Sequence, residues 1–159
     1  MITIRKATTK DCETILNWEN NPSLWEVTDE PGPFTMQDIS TFLQEKNSLE
    51  SASQERWIIE KSKSPIGMID LFQWNRNEKS IGIGIALPNL ESRRKGYAME
   101  AMQIAHQTLR MKYNIIHFHC IIHPGNPASK NLFERLGYEK VKTDLHRNQL
   151  VNHYLKTLT

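Results

Sequence analysis

The chain has 159 residues, which suits one domain with its own hydrophobic core, and no apolar run approaches the roughly 20 residues that span a bilayer. Its net charge of +2 at pH 7 is too small to indicate nucleic-acid binding, and the basic residues are spread along the chain. Met1 to Lys10 lacks the apolar core of a signal peptide. We therefore expect residues 1–159 to form a single cytoplasmic domain.

The N-terminal segment is predicted to form a strand followed by two helices. Ile2 to Arg5 alternates between apolar and polar side chains, which is typical of a strand. Thr9 or Asp11 is expected to cap a helix that runs to about Asn20. A second amphipathic helix is predicted from about Thr35 to Lys46.

The middle of the chain is predicted to form three consecutive antiparallel strands, because its apolar runs are joined by short polar turns. These runs are Arg56 to Glu60, Ile66 to Trp74 and Ile81 to Leu87. Gly82 and Gly84 inside the third run indicate a bulge or the close approach of another group. The polar segment from Asn47 to Ser53, which precedes the strands, is interpreted as a surface loop.

A basic turn, Arg93-Arg94-Lys95-Gly96, follows the third strand and precedes a long amphipathic helix. The start of a helix presents backbone N–H groups without intrahelical partners, and glycine allows a bulky anion to approach them. One face of the helix carries mostly small side chains that can pack closely on a sheet: Ala98, Ala101, Met102, Ala105 and Leu109. This strand, turn and helix would suit a pyrophosphate.

The C-terminal part is predicted to add a strand, a helix and two more strands. Ile115 to Ile122 alternates, so that three histidines share one face: His117, His119 and His123. No cysteine or carboxylate neighbours them on that face, so we expect no metal site. Asn126-Pro127 is a typical helix start and Gly137 a typical helix end. The last strands are predicted at about Tyr138 to Thr143 and Leu150 to Leu155.

Two motifs in this order resemble those of the GNAT superfamily of N-acetyltransferases. Arg93-x-x-Gly96-x-Ala98 is similar to the first motif, Gln/Arg-x-x-Gly-x-Gly/Ala. The second motif is similar to the stretch Asn126-x-x-Ser129-x-x-Leu132-Phe133, which is followed by Leu136-Gly137-Tyr138. The opening, with Arg5, Asp11 and Trp18-Glu19-Asn20, resembles that of the subfamily that contains ribosomal-protein alanine and spermidine acetyltransferases.

The resemblance implies an α+β fold, in which about four helices flank a mixed, mostly antiparallel sheet of six or seven strands. It also implies acetyl-CoA as the cofactor. By this resemblance the cofactor-binding residues are Ile85, Ala86, Leu87, Arg93, Arg94, Lys95, Gly96, Tyr97, Ala98, Asn126, Ser129 and Asn131. The main chain of the first three would hold the pantetheine arm and polarise the thioester carbonyl.

The resemblance implies less about the residues that bind the acceptor amine. In the family, the region after the first helix lines the acceptor groove, and here it carries Trp25, Glu26, Asp29 and Glu30. These side chains would attract a cationic amine, although a solvated acidic loop explains them equally well.

An amine must lose a proton to attack a thioester, and the departing thiolate must gain one. Many family members use a tyrosine as the acid where this chain has Phe133, and related sequences often have a glutamate where it has Ser80. His119 and Glu78 are therefore the candidates for proton transfer, while both are also compatible with ordinary surface positions.

The leading hypothesis is an acetyl-CoA-dependent N-acetyltransferase that acts on a primary amine of a polyamine-like small molecule, by direct attack in a ternary complex. A protein or peptide N-terminus is the alternative acceptor. A non-catalytic acyl-CoA-binding module is a third hypothesis, since Phe133 lacks a proton to donate. We expect no nucleic-acid or membrane partner, and a homodimer is compatible with the resemblance.

Overall fold

One seven-stranded sheet organises the protein, and the computed structural model describes it through residues 1–21 and 32–159. The strands are β1 (Ile2–Lys6), β2 (Glu55–Lys61), β3 (Ser64–Asn75), β4 (Ser80–Ala86), β5 (His117–Ile122), β6 (Glu139–His146) and β7 (Gln149–Thr157). Their order across the sheet is β1-β2-β3-β4-β5-β7-β6. Only β4 and β5 pair in parallel; the other neighbours are antiparallel. The predicted α+β class and the mixed, mostly antiparallel sheet are confirmed.

Five α-helices lie in the described part of the chain, where about four were expected. They are α1 (Cys12–Glu19), α2 (Met36–Thr41), α3 (Leu49–Ala52), α4 (Tyr97–Tyr113) and α5 (Pro127–Arg135). A short 3-10 turn (Thr9–Asp11) leads into α1, and a π-helical turn (Phe42–Lys46) continues α2. Within residues 1–21 and 32–159, no helix combines the length and the apolar composition needed to cross a membrane.

The sheet has a hydrophobic core on each face, because successive side chains of a strand point to opposite sides. The larger core includes α4 and α5, whose Met102 and Phe133 pack with strand residues such as Ile59 and Ile83. The smaller core packs α1 and α2 against Ile58 and other strand residues. The sheet is therefore covered on both sides near its middle.

The small face predicted for the long helix packs as expected. Four of its members are fully buried: Ala101, Met102, Ala105 and Leu109. Ala98, in the first turn, stays partly exposed. The short side chains allow α4 to lie close to the sheet, which brings the start of the helix to the end of β4.

The predicted cap of the first helix is confirmed in position at Asp11 but not in its hydrogen bonding. Asp11 directly precedes α1 but makes no side-chain capping hydrogen bond to it, because its carboxylate accepts from the Thr8 N–H and from the Arg5 guanidinium. Thr8, rather than Thr9, caps the 3-10 turn that leads into α1, and its hydroxyl accepts a hydrogen bond from the Lys10 N–H. Asp11 instead closes the capping box with Thr8.

The predicted surface loop from Asn47 to Ser53 is also wrong. It contains α3, which begins after Ser48, and Leu49 is 1% exposed in the larger core. The Asn47 amide donates to the Ala7 carbonyl at 2.9 Å and accepts from the Arg56 N–H at 2.6 Å. The Asn47 side chain therefore links the end of β1 to β2. It supplies hydrogen-bond partners to main-chain groups that would otherwise lack them.

The C-terminal hairpin is longer than predicted. The first of its strands was predicted to end at about Thr143 and the second to begin at Leu150, but β6 continues to His146 and β7 begins at Gln149. Arg147 and Asn148 form the turn, both with positive φ angles (52° and 65°). Such two-residue turns match the twist of antiparallel strands, so pairing can extend to the tip of the hairpin.

Candidate active site

The start of α4 has the geometry of an anion-binding turn. Gly96 is the residue before the helix and has a φ of +81°, a left-handed conformation that favours glycine. No atom of the described residues lies within 4 Å of the position that a Cβ would take there. The first-turn N–H groups of Tyr97 and Ala98 have no intrahelical acceptors, and no side chain caps this helix.

The turn places positive charge next to the start of α4 and is hydrogen-bonded to the residue that follows β4. Arg93, Arg94 and Lys95 are exposed next to Gly96. The Arg93 Nε donates to the Leu87 carbonyl at 3.0 Å. Two groups of predicted cofactor-binding residues, the end of β4 and the basic turn, are thus brought together. The donor set fits a diphosphate, because amides, a helix start and guanidinium groups all favour anionic oxygens.

The sheet opens between β4 and β5 on the same side. The two strands pair only from Ser80–Gly82 to His117–His119. Among the residues that the structure describes, β4 has no strand partner on the β5 side beyond Gly82, although it stays paired with β3 up to Ala86. Main-chain groups of Ile83 to Ala86 therefore lack strand partners on this side, and we call the unpaired region between β4 and β5 the gap.

Both loops that follow the parallel strands leave this edge of the sheet, because parallel strands end at the same side. The basic turn follows β4, and Asn126 follows β5 at the start of α5. The Asn126 side chain accepts from the Ser129 N–H at 3.1 Å and donates to its hydroxyl at 3.0 Å. Asn131 is exposed one turn later. The structure places the predicted cofactor-binding residues on the two sides of the gap.

The two glycines of β4 have different surroundings. A Cβ on Gly82 would lie 2.1 Å from the Phe72 ring, so Gly82 is a site of close approach. Nothing among the described residues lies within 4 Å of a Cβ on Gly84, which leaves an open floor beside the gap. The irregular register that the glycines suggested lies between Phe72 and Asn75, where Gln73 has a φ of +53°.

His119 is the last β5 residue paired with β4 and lies at the closed end of the gap. Its half-buried ring stands edge-on to the Phe72 ring, with 5.9 Å between centroids. Burial lowers the pKa of His119 below its ordinary value, and the charge of His153 lowers it further. At neutral pH the imidazole is therefore unprotonated, which is the form that accepts a proton.

Glu78 occupies the exposed turn before β4, where its N–H donates to the Asn75 side chain at 3.0 Å. The turn lies beside the start of β5, because the Ile116 N–H donates to the Lys79 carbonyl. Gly82, the partner of His119, is four residues further along the chain, which corresponds to roughly 13 Å along a strand. The structure does not bring the two proton-transfer candidates together.

Phe133 belongs to the hydrophobic core. It is 3% exposed, and its ring stands edge-on to the Tyr138 ring with 4.8 Å between centroids. The Tyr138 hydroxyl is itself buried and lies 2.6 Å from the His106 Nε2. This part of α5 therefore stabilises the fold and presents an apolar side chain where related sequences carry an acid.

The predicted acceptor-binding residues Trp25, Glu26, Asp29 and Glu30 lie outside the described residues. The flanks of their segment are described. Asn20 binds Phe34 through two hydrogen bonds, one from its amide to the Phe34 carbonyl (2.9 Å) and one from the Phe34 N–H (2.7 Å). The described residues that flank this segment are therefore in contact near the end of α1.

The sequence did not predict one charged pair near this flank, which is formed by Arg56 and Asp70. Arg56 binds Asp70 through its Nε (2.6 Å) and Nη2 (3.1 Å), and its Nη1 lies 3.5 Å from a carboxylate oxygen of Glu19. Asp70 is directly opposite Gly84 in the register of β3 and β4. The available signal was an aspartate inside the apolar strand run Ile66 to Trp74, where aspartate is disfavoured.

Comparison with known proteins agrees with this geometry. The family model described as the acetyltransferase (GNAT) domain matches residues 1–139. By sequence, no curated protein gives a significant match.

Solved structures share the fold at low sequence identity. The spermidine N-acetyltransferase from Vibrio cholerae, in complex with CoA and spermine, has a TM-score of 0.86 and 20% identity, over 98% of this chain and 95% of that chain. The ribosomal alpha-N-protein acetyltransferase RimL, in complex with CoA, has a TM-score of 0.87 and 15% identity, over 99% and 94%. An aminoglycoside acetyltransferase in complex with coenzyme A and kanamycin has a TM-score of 0.82 and 18% identity, over 99% and 95%.

The match to the family model covers most of the chain, and the solved structures that share its fold include complexes with CoA. The chain therefore belongs to the GNAT family and is an acetyltransferase that uses acetyl-CoA.

Proposed function

We propose that this enzyme transfers the acetyl group of acetyl-CoA to a primary amine of a small, polyamine-like cation, which attacks directly while both reactants are bound. The observation that carries the proposal is the gap between β4 and β5, with a cationic turn at its rim and the bare Gly84 on its floor. A gap of this kind would align the two reactants from opposite sides. The acetyl group could then pass directly to the amine, with no acetylated enzyme intermediate.

The cofactor would be held from both edges of the gap. We propose that the N–H groups after Gly96 bind its diphosphate together with Arg93, Arg94 and Lys95, while Asn126, Ser129 and Asn131 lie along its nucleotide and pantetheine side. The main chain of Ile85, Ala86 and Leu87 would position the thioester, which acetyl-CoA supplies as the activated acyl group. An N–H from this stretch would stabilise the charge that develops on the carbonyl oxygen.

Proton transfer would pass through His119. Its position at the closed end of the gap and its lowered pKa make it a proton acceptor near neutral pH. Glu78 is the second candidate and would act through water from its exposed turn. Because Phe133 has no proton to give, the thiolate would be protonated by water or by the imidazolium formed on His119.

Two acceptor classes compete. The similarity to a spermidine acetyltransferase bound to spermine supports a polyamine-like acceptor, as do the acidic side chains Glu26, Asp29 and Glu30 in the sequence. The similarity in fold to RimL supports a protein N-terminus as the alternative. A peptide chain needs a longer open groove than a small amine does.

The test is a thiol-release assay with acetyl-CoA and two matched panels of acceptors. One panel contains linear diamines and polyamines, and the other contains short peptides with free N-termini. We expect faster turnover, judged by kcat/KM, with the small amines. Faster turnover with peptides would establish the alternative, and no stimulation by any amine would overturn the proposed function.

A further inference from the structure

Asp70 presents a partly exposed carboxylate to the floor of the gap. Its side chain is 43% exposed, whereas that of its partner Arg56 is 13% exposed. Both carboxylate oxygens accept hydrogen bonds from Arg56. A carboxylate has about four lone-pair sites, so its outer lone pairs remain available on the exposed side.

Asp70 points to the same side of the sheet as the open space over Gly84. Directly opposite residues of antiparallel strands direct their side chains to one face, with Cα atoms roughly 5 Å apart. This is the face covered further along by α1, since Met68 and Ile58 belong to the smaller core. The carboxylate therefore lies beside the part of β4 that would position the thioester.

The direction of the Asp70 carboxylate is fixed by its partners. The guanidinium of Arg56 is also in contact with Glu19 and packs 5.5 Å from the centroid of the Phe42 ring. A half-buried guanidinium held from several sides cannot swing freely, so it holds the carboxylate in one orientation. Glu19 ends α1 just before the segment predicted to line the acceptor groove.

We propose that Asp70 binds a cationic ammonium group of the acceptor and so selects amines that carry a second positive charge. The inference rests on the proposed function, which it makes more specific. The reacting amine lies over Gly84 toward the thioester, and the second amine forms an ion pair with Asp70. Both oxygens of the Asp70 carboxylate are held by Arg56, so Asp70 acts in binding and orientation of the ammonium group.

The test compares a linear diamine with the amino alcohol of the same length, which lacks the second charge. The wild-type enzyme is expected to have a lower KM for the diamine. In Asp70→Asn the amide keeps the size of the side chain and can still accept from Arg56. We expect this variant to raise the KM for the diamine about ten- to a hundredfold, as for loss of a charged hydrogen bond, and to leave the KM for acetyl-CoA unchanged.

Two further variants make the result specific. Gly84→Ala adds a methyl group where the described residues leave space, so the fold should be kept while the KM for the diamine rises. Glu50→Gln is the matched control, because this exposed carboxylate belongs to α3, which packs on the other face of the sheet. Glu50→Gln should leave both KM values at the wild-type level.

The outcomes separate this inference from the proposed function. If the wild-type enzyme acetylates diamines and Asp70→Asn keeps the preference for the diamine over the amino alcohol, Asp70 is not the anchor, although the proposed function stands. A rise in the KM for acetyl-CoA in Gly84→Ala, with an unchanged KM for the diamine, would also overturn the placement. If the wild-type enzyme acetylates no amine, the proposed function itself fails.

Discussion

The position of His119 and its lowered pKa both suit the proposed role of this residue as the general base. Its ring lies at the closed end of the β4–β5 gap, and burial followed by the charge of His153 lowers its pKa. In the proposed mechanism this imidazole accepts the proton of the amine, and protonation below that pKa would remove the lone pair it needs. Turnover should therefore fall at acid pH, with a midpoint below the ordinary histidine value of about 6.5.

We expect His119→Gln to lower kcat about a hundredfold, which is typical of losing a general base, and to remove this acid limb from the pH profile of kcat. His117→Gln is the matched control, because His117 lies on the same face and its Nδ1 is 2.8 Å from the Thr157 hydroxyl. Steady-state kinetics between pH 5 and pH 9 provide the measurement. Wild-type turnover in His119→Gln, together with a large loss in Glu78→Gln, would assign the base to Glu78.

At the scale of elements, the start of α4 is the proposed binding site of the CoA diphosphate. We expect Gly96→Asp to bind CoA more than about tenfold more weakly than Gly96→Asn, because the added charge repels a diphosphate. Asparagine and aspartate both tolerate the left-handed backbone at φ +81° and have nearly the same size, so their difference isolates charge.

Isothermal titration with CoA measures both affinities, and circular dichroism checks that both variants are folded. Equal affinities for CoA in Gly96→Asp and Gly96→Asn would place the diphosphate elsewhere. Arg94, two residues before Gly96, also has a positive φ (60°), so the backbone is left-handed at two positions of this turn. The measured difference can then be attributed to the side chain at position 96.

Local signals in the sequence predicted those elements whose partners are also local. The start of α5 was predicted from Asn126-Pro127, because the Asn126 side chain accepts from a group three residues away. The buried Asn47 was missed for the opposite reason, because it bonds Ala7, forty residues earlier in the chain. Such a long-range hydrogen bond leaves no periodic pattern in the sequence. The cap at Thr8 was missed although its partners are local, since Thr8 forms a capping box with Asp11, three residues later.

For the whole molecule, the fold class and the basic turn were predictable, but the floor of the site was not. The turn is one contiguous stretch, Arg93 to Ala98, whereas the floor depends on the register that sets Asp70 opposite Gly84. The alternation of side chains along a strand predicts which face of the sheet Asp70 lies on. It does not predict which residue of the next strand lies opposite. The order β5-β7-β6, in which the last strand inserts between two earlier ones, is likewise set by long-range packing.

The global stability of the protein should depend on His106. It lies on α4 and is 6% exposed, with its ring 4.6 Å from the Phe118 ring of β5 and its Nε2 2.6 Å from the hydroxyl of Tyr138. Burial and, secondarily, the charge of Lys156 lower its pKa to about 4. In the unfolded chain the same imidazole takes up a proton near pH 6.5. The neutral histidine therefore stabilises the folded state above pH 6.5, and this contribution is lost as the pH falls toward 4.

We expect His106→Gln to be less stable than the wild type at pH 7, because the fit against Phe118 and Tyr138 is disturbed. Between pH 7 and pH 5, the difference in free energy of unfolding should shrink by about 2 kcal/mol, since only the wild type must keep this histidine unprotonated. Urea unfolding at both pH values measures the difference. His119 is present in both proteins, so its contribution cancels. A difference that stays constant across this range would mean that His106 titrates alike in the folded and unfolded states, and that its contacts in the core stabilise the protein independently of pH.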